Sequence, residues 1–274
     1  MKAGLGMQPS SSEAITPAAR FILGVRVDAT TYADACAQII RWAIARESRY
    51  ICAANVHLVM EAFDHDDYRE IINHADLVTA DGVPLTWALR LMGVRGAPRV
   101  YGPDLTRFVC AKAAEANVPV AFIGSTEEVL AALRHQLAQQ FPSLSIVLSY
   151  SPPFRRMTED EQNDLLAALR ESGAAIVFVG LGCPKQERWM AQCKGRFHGP
   201  MLGVGAAFDF IAQRKSEAPD WLQHMGLEWL FRLSTEPRRL WRRYVFLNPR
   251  FVLLLLRQLI YPADSRRLGR SRHK

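Results

Sequence analysis

Between Asn117 and Asp209, short runs rich in β-branched and apolar residues alternate with longer amphipathic stretches, and this alternation restricts the fold more than any other feature of the chain. A strand, a helix and a second strand in succession form the βαβ unit, which builds parallel sheets covered by helices on both faces. Residues 118–124, 145–150, 174–179 and 200–204 read as strands; residues 126–141, 158–172 and 184–195 read as the intervening helices. Thr158 and Glu161 have the spacing of a capping box at the start of the second helix. The first third has the same style, with a strand at 21–27, a helix at 32–46 and strands at 50–53 and 77–79. The expected fold is therefore α/β and Rossmann-like, a mainly parallel sheet with helices on both faces.

After Pro219 the texture changes to Trp221, Trp229, Phe231, Trp241, Tyr244 and Phe246 interleaved with arginines, which reads as two or three helices. Of a net charge of +7, this last segment carries all the excess: twelve Lys and Arg against four Asp and Glu from Asp220 to Lys274. The expected organisation is a flexible leader at 1–20, an α/β core at 21–219 and a helical, basic C-terminal appendage at 220–274. Such charge asymmetry implies an anionic partner for the tail, either a membrane surface or nucleic acid. The slightly acidic core and Leu253 to Leu256 in the tail favour lipid headgroups over a nucleic-acid groove, and the longest apolar run, 251–256, is far below the roughly 20 residues a spanning helix needs. Five cysteines without a C-x-x-C pair suggest neither a disulfide framework nor a zinc site, and fit a reducing cytoplasm.

In an open parallel sheet, ligands bind beyond the carboxyl ends of the strands. Four places there carry polar or glycine-rich residues. Asn55 follows a buried run and begins a helix, either as an N-cap or as a pocket residue. Asp81, in Ala80-Asp81-Gly82, lies on a strand-to-helix turn, where it is a cap or a general base. Gly180, Gly182 and Lys185 form a turn and helix start suited to phosphate, although neither a dinucleotide fingerprint nor a Walker A sequence is complete. Gly205 belongs to the fourth, Gly203 to Asp209.

Five motifs in order, ADG with V-P, RVYGPDL (Arg99 to Leu105), GLGCPKQE, GVGAAFDF and GLEWLFRLSTEPRRLWRRY (Gly226 to Tyr244), resemble the WecG/TagA/CpsF glycosyltransferase family. The resemblance implies an inverting, UDP-sugar-dependent enzyme acting on a polyprenyl-diphosphate-linked sugar in exopolysaccharide or cell-envelope polymer synthesis. UDP-glucose is favoured over UDP-N-acetylmannosamine or its uronic acid, because residues 51–57 are most similar to the exopolysaccharide glucosyltransferase branch. It also implies Asp81 as catalytic base, Asn55 and Gln186 in the same pocket, and Arg232, Arg238 and Arg242 closing over it. Tyr101 and Asp104 of the second motif join the substrate-binding candidates. Two departures stand out: Ala53 where many members have Thr, and Glu217 where many have Arg.

No cofactor is implied. The acidic cluster Asp64-His65-Asp66-Asp67 reads as a solvated loop before a helix, not as a metal site, which leaves arginines as counter-charge for a diphosphate. The expected partners are the two substrates and an anionic membrane surface, with no nucleic acid and homo-oligomerisation left open. The expected location is the cytoplasm, peripherally attached to the inner face of the membrane. The rival readings are a basic-tailed nucleic-acid-binding protein and a non-catalytic nucleotide-binding protein.

Overall fold

The structure is a computed structural model that describes residues 17–261, with the side chains of Asp220, His224, Arg239, Arg242 and Arg243 left undescribed. Residues 1–16 of the expected leader and 262–274 of the appendage lie outside the described residues. In chain order the first half contains β1 (Ala18–Ile22), β2 (Val25–Ala29), α1 (Tyr32–Ile44), β3 (Arg49–Ala54), α2 (Val56–Asp64), α3 (Asp66–Asn73), β4 (Leu77–Ala80), α4 (Val83–Leu91) and α5 (Gly102–Glu115). There follow β5 (Val120–Gly124), α6 (Glu127–Gln140), β6 (Ile146–Tyr150), α7 (Glu159–Glu171), β7 (Ile176–Gly180), α8 (Lys185–Cys193), β8 (Pro200–Gly203) and α9 (Ala207–Ile211).

All eight strands form one sheet in the order β1-β2-β4-β3-β8-β7-β5-β6, antiparallel at β1–β2 and parallel everywhere else. Strands β5 and β7 are apolar along most of their length because helices cover both sides of the sheet. One face packs against α2, α3, α4, α7 and α8, the other against α1, α5, α6 and α9. Side chains of Thr31, Asn55, Thr126 and Thr158 accept backbone N–H groups at the starts of α1, α2, α6 and α7, and the Thr158–Glu161 capping box is formed.

The expected single strand at 21–27 is instead two strands joined by a two-residue turn. Leu23 and Gly24 both take positive φ (+50° and +83°), the geometry of a tight hairpin, and Leu23 is buried although a leucine rarely makes such a turn. The acidic cluster is also more ordered than a loop. Asp64 ends α2 and Asp66 and Asp67 begin α3, with acidic residues favourably placed in the first turn of the latter.

The C-terminal segment contains α10 (Asp220–His224), α11 (Glu228–Thr235), α12 (Pro237–Arg242), a π-helical turn (Arg243–Leu247) and α13 (Asn248–Ile260). That is one helix more than the upper expectation, plus the π turn. It is also not wholly an appendage. Phe251 and Leu255 of α13 are buried in the main core. Gln258 accepts the Leu23 N–H (2.8 Å) and donates to the Phe21 carbonyl (2.6 Å), which closes the β1–β2 turn. The boundary at 219 therefore separates compositions and not hydrophobic cores.

Candidate active site

Asp81 leaves the carboxyl end of β4 beside Asn55, which leaves the neighbouring end of β3. The two residues line a cleft of about 90 Å³ together with His57, Arg99, Glu228, Trp229, Arg232 and Tyr244. Asn55 Oδ1 accepts the Leu58 N–H (3.2 Å), so the residue caps α2 and faces the cleft at once. Asp81 is no cap in this sense, since α4 begins without a side-chain cap bond. Its Oδ1 accepts the Gly102 N–H (2.7 Å), which fixes the carboxylate against the start of α5.

Desolvation pushes the Asp81 carboxyl above the usual carboxylate range. Arg99, the Gly102 N–H and Arg232 act in the opposite direction, while Glu228 adds to the rise. The arginines are tightly held. Arg99 Nε donates to the Asp81 carbonyl (2.6 Å), and its Nη2 lies 2.5 Å from Glu228 Oε2. Arg232 Nη2 lies 2.5 Å from Glu228 Oε1 and donates to the Tyr101 hydroxyl (2.9 Å). Tyr101 is buried under the Arg99 guanidinium, 4.2 Å from its ring centre. It thus braces two cations from below, a placement the motif alone does not specify.

Next along the sheet, beyond β7 and β8, lies a cavity of about 850 Å³. Gly180, Gly182, Lys185 and Gly205 line it, as do Arg155, Arg156, Arg188, Trp189 and Lys215. Arg155 pairs with Glu161, Arg188 with Asp67, and Lys215 with Glu236 and Asp209; among the described residues Arg156 and Lys185 have no ion-pair partner. The indole Nε1 of Trp189 is buried without an acceptor among the described residues. The cavity therefore offers two uncommitted cations to an anionic ligand. Between the Asp81 cleft and the β8 loop lies buried Gly102, where an added Cβ would lie 3.6 Å from Asp81 Oδ1 and 3.5 Å from the Val204 carbonyl.

Gln186 lies beneath the cavity and not in it. It is buried, and its Oε1 accepts the N–H of Gly182 (3.2 Å) and of Gly205 (3.1 Å). Its Nε2 donates to Glu187 Oε1 (2.7 Å), and Tyr68 donates to Glu187 Oε2 (3.0 Å). One amide thus ties the β7 and β8 loops together over a buried carboxyl whose pKa burial raises. The Gly182 amide, expected to cradle phosphate, is consequently already engaged, as is that of Gly205. Both glycines take positive φ (+79° and +56°), which the two loops require. Gly180 has a packing reason, because a Cβ there would lie 2.7 Å from the Phe208 ring.

Asp104 stands apart from both sites, paired with Arg107 (3.1 Å) and accepting from the Tyr32 hydroxyl (3.4 Å). Arg107 also holds Glu217 (2.5 Å), so the acidic departure at 217 has a partner of its own within the protein. Ala53 abuts Gly102. Arg238 is exposed on α12 and lines neither site, and the side chain of Arg242 lies outside the described residues. The acidic cluster is fully occupied by arginines: Asp64 by Arg250 (2.6 Å), Asp66 by Arg69 (2.7 Å) and Asp67 by Arg188 (2.6 Å). Sequence reasoning did not single out Arg99 or Glu228. The available signal was the i, i+4 spacing of Glu228 and Arg232, a helix ion-pair pattern.

A comparison with protein-family models finds the glycosyl transferase WecG/TagA/CpsF family matching residues 20–265.

Proposed function

The chain belongs to the WecG/TagA/CpsF glycosyltransferase family, and from that premise we propose that it is an inverting enzyme moving a sugar from a UDP-sugar to a polyprenyl-diphosphate-linked sugar. The observation that carries the proposal is that a desolvated carboxylate and a cation-lined cavity both lie at the carboxyl end of one sheet. The cavity takes the nucleotide diphosphate, with Lys185 and Arg156 as counter-charges. The acceptor hydroxyl lies in the Asp81 cleft. Its proton passes to the Asp81 carboxylate as its oxygen bonds to the anomeric carbon. The bond from that carbon to the diphosphate breaks on the opposite face, and UDP departs with the electron pair.

The experiment is transfer by purified protein from a panel of UDP-sugars to a short-chain polyprenyl-diphosphate-linked sugar, followed by mass. One donor, with UDP-glucose favoured, is expected to add its hexose and release UDP, at a rate unchanged by EDTA. Absence of transfer from every donor would overturn the proposal. Loss in EDTA reversed by magnesium or manganese would overturn the assignment of counter-charge to the cations alone.

The acceptor's lipid tail places the enzyme on the inner face of the cytoplasmic membrane. No helix among the described residues is long and apolar enough to cross a membrane. What supports surface docking is an apolar band: Leu253, Leu256 and Ile260 of α13 are exposed, α13 holds the chain at Phe21, which is also exposed, and Arg20 next to it bonds the Met92 carbonyl at the end of α4. Burying a whole leucine contributes about 1.5–3 kcal/mol, and Leu253 and Leu256, each already partly covered, together bury about that much on docking. The double variant Leu253→Ser, Leu256→Ser is therefore expected to bind vesicles containing anionic lipid about ten- to a hundredfold more weakly. Its turnover on a water-soluble acceptor should not change. Undiminished vesicle binding would move the docking surface elsewhere.

A further inference from the structure

The cleft contains a conflict between two requirements. The diphosphate-linked acceptor assigned to this cleft favours guanidinium groups nearby, but a cation within about 4–6 Å of a carboxylate lowers its pKa by about 1–3 units and weakens it as a base. A general base works best with a pKa close to the operating pH. Arg99 and Arg232 both stand beside Asp81, and a carboxylate flanked by two uncompensated guanidiniums would be a poor proton acceptor.

Glu228 is placed to resolve this. It is buried at the start of α11, and its two oxygens each take one arginine at 2.5 Å. Arg99 in turn gives its Nε to the main-chain carbonyl of Asp81 and not to the carboxylate. The carboxylate oxygen Oδ1 is held by the neutral Gly102 N–H. Among the described residues, Asp81 thus has no direct ion pair, although both cations are close enough to act on it. The remaining groups that face it are Tyr101 at the start of α5, Tyr32 of α1, His57 of α2 and Tyr244 of the π-helical turn. Of these described groups only Glu228 contributes a second negative charge.

We infer that Glu228 is a positioning residue which aims Arg99 and Arg232 while offsetting their charge, so that Asp81 remains basic enough to accept the proton of the acceptor hydroxyl. The inference rests on the reading of Asp81 as the base. It gives an acidic residue a purpose in an otherwise basic segment: the site keeps two directional guanidiniums at the cost of one net positive charge.

The test is the pH dependence of kcat/KM, with a carbon-detected NMR titration of the Asp81 carboxyl, in the full chain. In Glu228→Gln the acid limb and the titration are both expected to move to lower pH by about one pH unit. The plateau kcat should fall about three- to tenfold, since the base is weaker. Arg99→Gln should move both in the opposite direction, and Glu228→Asp, which keeps the charge, should return both towards wild type. A Glu228→Gln enzyme that is slower but has an unmoved acid limb and titration would overturn the inference and leave Glu228 as a brace for α11. Should Glu228→Gln not fold, Arg99→Gln decides, and a limb moved to lower pH or unmoved there would overturn it equally. The Asp81→Asn enzyme separates this from the underlying reading. If it turns over normally, the base assignment fails; if it is inactive while the limb ignores Glu228, only this inference fails.

Discussion

Asp81→Asn is expected to lower turnover by about 10²- to 10⁴-fold, the usual worth of a positioned acid or base, while leaving the protein as stable as the wild type or more so. The two halves have one cause. Asparagine keeps an oxygen that can accept the Gly102 N–H, so the start of α5 stays in place. It cannot accept a proton. Burial raises the folded-state pKa of Asp81 above its unfolded value, so the folded protein holds that proton more tightly than the unfolded chain. Stability from this group is then highest at low pH. It is lost as pH rises from the unfolded value through the folded one. The amide carries no such penalty. Thermal unfolding at neutral pH should therefore show an unchanged or higher Tm beside the collapse of turnover. A variant that is both destabilised and slow would point to Asp81 as a structural anchor, and wild-type turnover would remove it from the chemistry.

Gln186→Ala should have the largest effect on stability. The substitution removes the acceptor shared by the Gly182 and Gly205 amides and the donor to buried Glu187. Leaving such groups unsatisfied costs about 2–4 kcal/mol in all. For a chain of this size that is a fall in Tm of about 5–15 °C. The β7 and β8 loops also form the floor of the large cavity, so UDP affinity and turnover should fall together. The resemblance that leads to Gln186 gives it a place facing the substrate. Calorimetry distinguishes the two placements: a variant within about 1 °C of wild-type Tm that loses only turnover would restore the substrate contact.

The right half of the sheet was legible because each signal there is local. From β5 to β8, strands and helices alternate without interruption, and threonines at 126 and 158 mark where helices begin. The left edge was not, since its defining turn uses Leu23 at a positive φ and depends on Gln258, 235 positions away, to satisfy the Leu23 N–H. The same distinction runs through the site. Asp81 and Asn55 follow strands and could be read from position; the Arg99–Glu228 pair joins residues 129 apart, and nothing in either neighbourhood announces it. Gln186 shows the opposite failure. Its motif is conspicuous, but which way an amide faces is decided by two glycine loops that only the fold brings together.

Composition and geometry also divide the tail differently. Basic composition suggested an appendage from 220 onward, whereas Phe251 and Leu255 return to the core, on the same buried face of α13 as Gln258. Its opposite stripe stays exposed, and that half alone is available to a lipid surface.

The central claim is a single displacement at the anomeric carbon, with Asp81 as base and the diphosphate departing from the opposite face. The anomeric configuration of the product measures it most directly, read by proton NMR of the sugar newly joined to a short-chain acceptor. A donor with an α-linked diphosphate should give a β-linked product. A product of retained configuration would require either two successive displacements or departure and attack on the same face, and would contradict the account.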